Sequence, residues 1–373
     1  MSQAPLDIEM SDLGARVGGL PGVARVREAA RGEKAYLVGG AVRDLLLGRE
    51  RADVDIVIEG DAIAIAHRLG GELVVHERFG TASVLLGEAS VDLAGARAES
   101  YPAPGALPDV RRGDLADDLA RRDFTINAMA VALGEPGELI DPHDGARDLA
   151  AGRLRVLHSR SFEDDPTRAL RAARYAARLG LEPEPRTAEL LARADLATVS
   201  AQRVEAELRR LAAERHAVAG LELAAAWGLL ELRADDRELL ARSHALLGAP
   251  RWAGIASFAD VAAQVLAGKG GRALALAALA PERPSEAVEA AHGHGGVDLL
   301  LARALGAQWL ERYVDEWRHV RLEIAGDDLL EAGIPQGPAV GQGLRAALRA
   351  KLDGGASGRA EELRTALAAV KAG

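Results

Sequence analysis

The feature that most constrains the fold of this chain is a change of pattern near residue 150. Before it, from 34 to about 140, short apolar runs at 35–38, 54–58, 73–75, 82–86 and 90–94 read as strands, with a helix at 61–70. After it, Ala, Leu and Arg recur at spacings of three and four to the C-terminus between Pro and Gly breaks, which predicts a string of helices. The fold class is therefore α+β: a small head with a mixed β-sheet, followed by an all-α remainder. Hydrophobic residues make up 49% but aromatics only 3%, so those helices must pack through small and aliphatic side chains. Within the first half, 8–32 reads as a leading helix broken at Pro21-Gly22, and 87–90 as a hairpin turn. Residues 102–113, rich in Pro and Gly, read as a mobile or irregular loop before a helix at 114–122. The run FTINAMAVAL that follows has no period that separates helix from strand.

Composition removes several functions. The chain has 373 residues and no cysteine, which excludes a disulfide framework and a thiolate metal site and fits a reducing compartment. The opening MSQAPLDIEMSD lacks an apolar signal core, and no apolar run reaches membrane-spanning length, so a soluble cytoplasmic protein is expected. The net charge of −10 argues mildly against nucleic acid. Its distribution argues the other way at one place: 153–178 holds seven Arg against three acids, a basic neck compatible with a local RNA site.

The chemistry concentrates first in 37–55, LVGGAVRDLLLGRERADVD, which reads as strand, Gly-Gly turn, helix, turn and strand. Gly39 and Gly40 lack a Cβ and let the backbone approach a ligand, and a helix starting there points N–H groups at an anion. Taken alone, this reads mostly as an ordinary strand-to-helix turn. Asp53 and Asp55, two residues apart on a strand, share a face and can hold Mg²⁺ ions for phosphoryl or nucleotidyl transfer, or are a turn-forming acid and a solvated edge residue. Asp92, within Val91-Asp92-Leu93, is either a third metal-ligating carboxylate or a hairpin-end acid bonded to local backbone. Arg43 is placed to hold a phosphate or ribose oxygen.

Arg121, Arg122, Asp123 and Asn127 form a second cluster, beside an apolar run where charge is costly unless paired or facing a ligand. It reads either as contacts to the ribose and phosphates of a nucleotide or as an Arg–Asp pin between the halves. A third begins at Asp165-Pro166, with Asp165 as N-cap and Pro166 at the first helical position. Arg168, Arg171, Arg174 and Arg178 then follow at spacings of 3, 3 and 4, one stripe on one face. Cytosine and adenine both show an amino donor beside a ring-nitrogen acceptor, whereas uracil and guanine show the reverse. An Asp accepting from the amino group and an Arg donating to the ring nitrogen select C and A, and Asp165 with Arg168 is the pair assigned that task.

GGAVRD…DVD, RRDFTINAMA, DPHDGARDL and DDPTRALRAARYAARL occur in one order at consistent distances. Together they resemble the class II tRNA nucleotidyltransferase (CCA-adding enzyme) and bacterial poly(A) polymerase family, within the polymerase-β nucleotidyltransferase superfamily. The likeness is dense over 34–215 and weaker at 216–232 and 324–353. It implies a leader (1–33), a catalytic head (34–150), a base-selecting neck (151–215) and a tRNA-binding helical body and tail (216–373). It also implies that Asp53 and Asp55 ligate metal, that Gly40, Arg43 and an Arg of 121/122 contact triphosphate and ribose, and that Arg171 and Arg174 lie near phosphates. The body and tail would hold the acceptor and TΨC arms of tRNA, with CTP and ATP as co-substrates. The acid pair opening the base-selecting helix is Asp164-Asp165 here, where the family usually has Glu-Asp. His292 and His294 stand in a Gly-rich loop without acids beside them, so the phosphohydrolase domain of some relatives is not expected. Gly333, Gly337, Gly341 and Gly343 read as a helix–turn–helix whose amides could hold a phosphate, or as a tight structural turn. Within the family the activity is CCA, CC or A addition, or poly(A) synthesis; outside it, the rival is an inactive RNA-binding module.

Overall fold

The computed structural model describes residues 12–49, 53–77, 80–134 and 137–372, with the side chain of Asp53 outside the description. The chain divides after Glu231 into two compact units.

The first unit opens with two short helices, α1 (Leu13–Gly18) and α2 (Val23–Ala29), separated where Pro21-Gly22 was expected to break the leader. The chain then runs through β1 (Ala35–Val38), α3 (Gly40–Leu46), β2 (Asp53–Ile58), α4 (Ala62–Leu69), β3 (Glu72–His76), β4 (Thr81–Leu86) and β5 (Ala89–Gly95). After β6 (Arg97–Ser100), β7 (Asp109–Arg112) and α5 (Leu115–Ala120) come two short strands, β8 (Ala130–Ala132) and β9 (Leu139–Ile140). Seven strands form one sheet in the order β3-β4-β5-β2-β1-β8-β9, in which only β2 and β5 run parallel.

Strand alternation decides which face carries chemistry. Val54, Ile56 and Ile58 of β2 and Val91 and Leu93 of β5 point into the main core. There they meet α4, whose Ala62, Ile65, Ala66 and Leu69 repeat at helical spacing and whose N-terminus is capped by Asp61 onto the Ala64 amide. The alternate residues, Asp55 and Val57 of β2 and Asp92 of β5, take the opposite face. There Val57, Val38 and Ala130 pack under Leu115 and Leu119 of α5. One sheet face is thus sealed, and the other is left open at its acidic end.

One expectation is corrected here and one open reading is decided. Residues 109–112, read as loop, form β7, paired antiparallel with β6 from Arg97↔Arg112 to Ser100↔Asp109. All four β7 residues are exposed, so this strand has no apolar face for a pattern to reveal. The undecided FTINAMAVAL becomes a 3₁₀ turn at 125–127 and then β8; Ala128, Met129, Ala130 and Val131 are all fully buried, which erases any period.

The rest of this unit is α6 (Gly145–Ala150), β10 (Arg153–Leu154), α7 (Ser161–Asp164), α8 (Thr167–Leu179), β11 (Glu182–Pro183), α9 (Pro185–Leu191), α10 (Ala201–Ala212) and α11 (Ala217–Ala226). The parallel β10–β11 pair is a small departure from an all-helical second half. Beyond Glu231 the second unit is helical: α12 (Ala234–Leu247), α13 (Phe258–Leu266), α14 (Gly271–Ala277), α15 (Pro284–Ala291), α16 (Gly296–Ala304), α17 (Leu310–Asp315), α18 (Gly326–Glu331), α19 (Pro338–Leu352) and α20 (Arg359–Ala372). Gly341 and Gly343 lie inside α19 and not in the turn. A Cβ on Gly343 would come 2.7 Å from Leu329, so this glycine lets α18 and α19 pack closely. His294 is not without an acid: its Nδ1 lies 3.6 Å from Asp298, one helical turn on.

Candidate active site

The turn from β1 into α3 is built for close approach. Gly39 adopts φ +67°, donates its amide to the Met129 carbonyl at 3.0 Å, and would place a Cβ 2.5 Å from Nη1 of Arg122. A Gly39→Ala variant is therefore expected to lose about 1–3 kcal/mol of stability from backbone strain and to displace Arg122. Urea midpoints check this, and an alanine variant as stable as the parent would contradict it.

One helical turn later, Arg43 is almost fully buried. It donates to Asp44 at 2.8 Å and to the Asn127 side-chain oxygen at 2.5 Å, and its guanidinium sits 5.4 Å over the Tyr175 ring. The RRD cluster is held by an acid that sequence reading passed over. Asp118, on α5 and wholly buried, receives Arg121 on one oxygen (2.6 and 2.9 Å) and Arg122 on the other (2.8 and 3.2 Å). Asp123 accepts from Asn127 (2.9 Å) and from its neighbouring amide at Phe124, and pairs with Arg171 at 2.6 Å. Burial alone would push the Asp123 carboxyl up; Arg171 and the Asn127 amide outweigh it and hold the group below the usual carboxylate value.

The arginine stripe faces inward and not solvent. Arg168 donates to Ser161 Oγ (2.9 Å) and the Arg121 carbonyl (2.7 Å). Arg171 and Arg174 lie 5.7 and 4.7 Å over Tyr175, with Glu207 of α10 between them at 3.7 and 3.9 Å. Arg178 reaches Asp44 at 3.3 Å. The helix itself starts one residue later than expected, with Pro166 in the cap position. Asp165 still receives the Thr167 amide (3.0 Å) and hydroxyl (2.6 Å) on Oδ1, and Arg203 adds a third bond there at 2.9 Å.

These elements enclose a cavity of about 580 Å³. Gly40, Arg43, Asp55, Arg121, Arg122, Asp123, Asn127, Asp165, Arg168, Arg171 and Arg174 all line it; Gly39, the chain neighbour of Gly40, does not. Asp164 does not: its carboxylate faces Arg160 at 3.2 Å and His158 at 3.9 Å. Eight arginines and five carboxylates line the wall, a balance that favours a polyanion. Sequence reading missed Glu99, Tyr101, Tyr175 and Glu207 in this wall, and Arg203 behind Asp165. Only Tyr175, four residues after Arg171 on the same helix face, had a positional signal.

Asp55 also lines a second cavity of about 400 Å³, shared with Asp92, Ser83 and Thr81. Asp55 and Asp92 are register partners on the parallel β2–β5 pair, and Asp92 accepts a hydrogen bond from Ser83. The donors gathered here are hard oxygens, which suit Mg²⁺. Among the described residues no three His, Cys, Asp or Glu side chains cluster as a metal site; Asp53, the remaining expected ligand, has its side chain outside the described set.

A mixed sheet exposing acids beside an arginine-lined pocket is the architecture of a nucleotidyltransferase head. Residues 35–155 match the poly(A) polymerase head domain. The CC-adding tRNA nucleotidyltransferase of Deinococcus radiodurans is 37% identical over 362 residues, covering 92% of this chain and 91% of that protein. A CCA-adding enzyme in an apo form superposes with a TM-score of 0.80 at 27% identity, over 96% of this chain and 98% of that one. The Thermotoga maritima CCA-adding enzyme complexed with tRNA gives 0.73 at 26% identity, again over 96% and 98%. Against several A-adding tRNA nucleotidyltransferases the chain spans 45% or less of the relative's length. The chain belongs to the tRNA nucleotidyltransferase family. Among its described residues no helix is long and apolar enough to cross a membrane.

Proposed function

We propose that this protein is a Mg²⁺-dependent RNA nucleotidyltransferase that adds C, A or both to the 3′ end of tRNA from CTP and ATP, selecting the base with its own side chains. The observation that carries this reading is the single cavity onto which Asp55, the Arg43–Arg121–Arg122 group and the Asp165–Arg168 pair all open. Asp55, which lines this cavity and the smaller one, would hold the metal together with Asp53, two residues earlier on β2, and Asp92, its register partner on β5. Mg²⁺ bound there would supply acidity to the RNA 3′-hydroxyl and neutralise charge on the departing pyrophosphate. Gly39 and Gly40 let the phosphates approach, and Arg43, Arg121, Arg122, Arg171 and Arg174 neutralise triphosphate and ribose oxygens, with Asp123 and Asn127 fixing their directions.

With Oδ1 of Asp165 saturated by Thr167 and Arg203, Oδ2 is the oxygen left to accept the amino group of C or A, while Arg168 donates to the ring nitrogen. Asp164 supports that pair from outside the cavity. After the leader (1–33), the head (34–150) carries the catalysis and the neck (151–215) the base selection, and the body and tail (216–373) hold the acceptor and TΨC arms through backbone and shape. The expected compartment is the cytoplasm, where tRNA is matured.

The test supplies Mg²⁺ and each NTP separately to tRNAs ending at the discriminator base, at C and at CC. Expected products are +CCA, +CC or +A, abolished by EDTA and restored by excess Mg²⁺. A long A tail would mark a poly(A) polymerase, and RNA retention without any incorporation would leave an inactive RNA-binding module. Two relatives of different specificity, CC-adding and A-adding, make the tRNA ending at CC the informative substrate.

A further inference from the structure

Tyr101 stands in the cavity wall beside Arg168 and belongs to no motif the chemistry above uses. Its environment fixes the direction of its hydroxyl. The nearest partner on one side is Glu99, nearly buried and held by Arg97 at 3.0 Å and Arg121 at 3.1 Å, so it can only accept. The phenol therefore spends its single proton on Glu99 at 3.1 Å and turns a lone pair toward Nη2 of Arg168 at 3.4 Å. Burial pushes the phenol up to about 12, so it stays protonated at working pH.

The arginine's donors can be counted. Ser161 takes one hydrogen of Nη1, and the Arg121 carbonyl and the Tyr101 oxygen take the two hydrogens of Nη2. The other Nη1 hydrogen and the Nε hydrogen are left, and one of them suffices for a ring-nitrogen acceptor.

We propose that Tyr101, oriented by Glu99, is a specificity-determining positioning residue: it occupies the spare Nη2 hydrogen of Arg168 and so denies that donor to the carbonyl oxygens of uracil and guanine. The inference rests on the assignment of Arg168 to base selection. The same link joins the two ends of the nucleotide site, because Glu99 also holds Arg121.

The experiment measures kcat/KM for all four NTPs with the full-length protein, Mg²⁺ and tRNA, in Tyr101→Phe, Glu99→Gln and Arg168→Ala. Phenylalanine keeps the ring and frees the hydrogen. Glutamine offers an amide that can donate to the phenol oxygen and displace Arg168. Both are expected to raise UTP use relative to CTP, and GTP use relative to ATP, by roughly five- to twenty-fold, the scale of one misdirected hydrogen bond at a base edge. A merely structural role would lower all four values together, and that result, or ratios unchanged in both variants while Arg168→Ala still alters them, overturns the proposal. Ratios unchanged in Arg168→Ala as well would instead remove the base-selection reading on which it stands. Melting curves of each variant separate loss of fold from loss of choice.

Discussion

Replacing Asp55 by alanine is expected to lower nucleotide incorporation by on the order of a thousand-fold, about 4 kcal/mol of transition-state stabilisation, while tRNA is still retained on filters. The expectation follows from position. Asp55 lines both the arginine-walled cavity and the smaller cavity with Asp92, Ser83 and Thr81, so under the proposed function it stands where a triphosphate held on one side would meet a hydroxyl arriving from the other. No second group in the described structure touches both spaces with a carboxylate, so compensation by a neighbour is not expected. Asp92→Asn separates its two readings. As a metal donor it lowers activity and raises the Mg²⁺ needed for half-maximal rate; as a hairpin acid bonded to Ser83 it leaves the Mg²⁺ dependence alone. Asp55→Ala incorporating nucleotide at the parental rate would sink the assignment of the acidic face to catalysis.

How much of this was legible beforehand depended on whether a residue announces its partner. The 37–55 stretch was readable because its constraints are local: Gly39 needs a positive φ, and the 53/55 spacing on a strand forces one face. The 168–178 stripe was readable as a face, but its surroundings were not. A solvated basic face and a cavity wall have the same spacing, and what separates them is Tyr175, Glu207 and Asp44 gathering around the arginines from three elements. Glu99 and Tyr101 lie just before a Pro- and Gly-rich stretch and gave no periodic signal. Asp164 was paired with Asp165 by adjacency. At the close of α7, however, the backbone turns the two carboxylates apart, one to Arg160 and one to the cavity. Asp118 shows the limit most directly: in LADDLA it looks like one more helix-start acid, and only the fold makes it the anchor of two arginines.

That anchor gives the largest expected stability effect. Asp118 is wholly buried and each of its oxygens takes two N–H donors from a different guanidinium, a bidentate arrangement repeated twice on one carboxylate. Asp118→Ala leaves Arg121 with Glu99 alone, at 3.1 Å, and Arg122 without its carboxylate partner. Those side chains are 18% and 17% exposed, so water offsets only part of the loss. The expected cost is about 3 kcal/mol, together with weaker CTP and ATP binding as both arginines swing out of register.

The acid limb of the stability curve supplies an independent check. Burial pushes the Asp118 carboxyl up, but Arg122 and Arg121 outweigh it and hold it below the ordinary value, as Arg171 does for Asp123. A carboxyl depressed in the folded state stabilises above its unfolded value, near 4, and that stability is lost as pH falls through the folded value. The parent should therefore hold its melting temperature from neutral pH down to about 4 and lose it steeply below. Asp118→Asn should start lower and fall less between pH 4 and 2, because one of the two titrating anchors is gone. Parallel acid limbs for parent and variant would mean that Asp118 carries no ion pair in solution. Arg121 and Arg122, proposed to serve the triphosphate, would then have to be positioned by Glu99 and by the ligand itself.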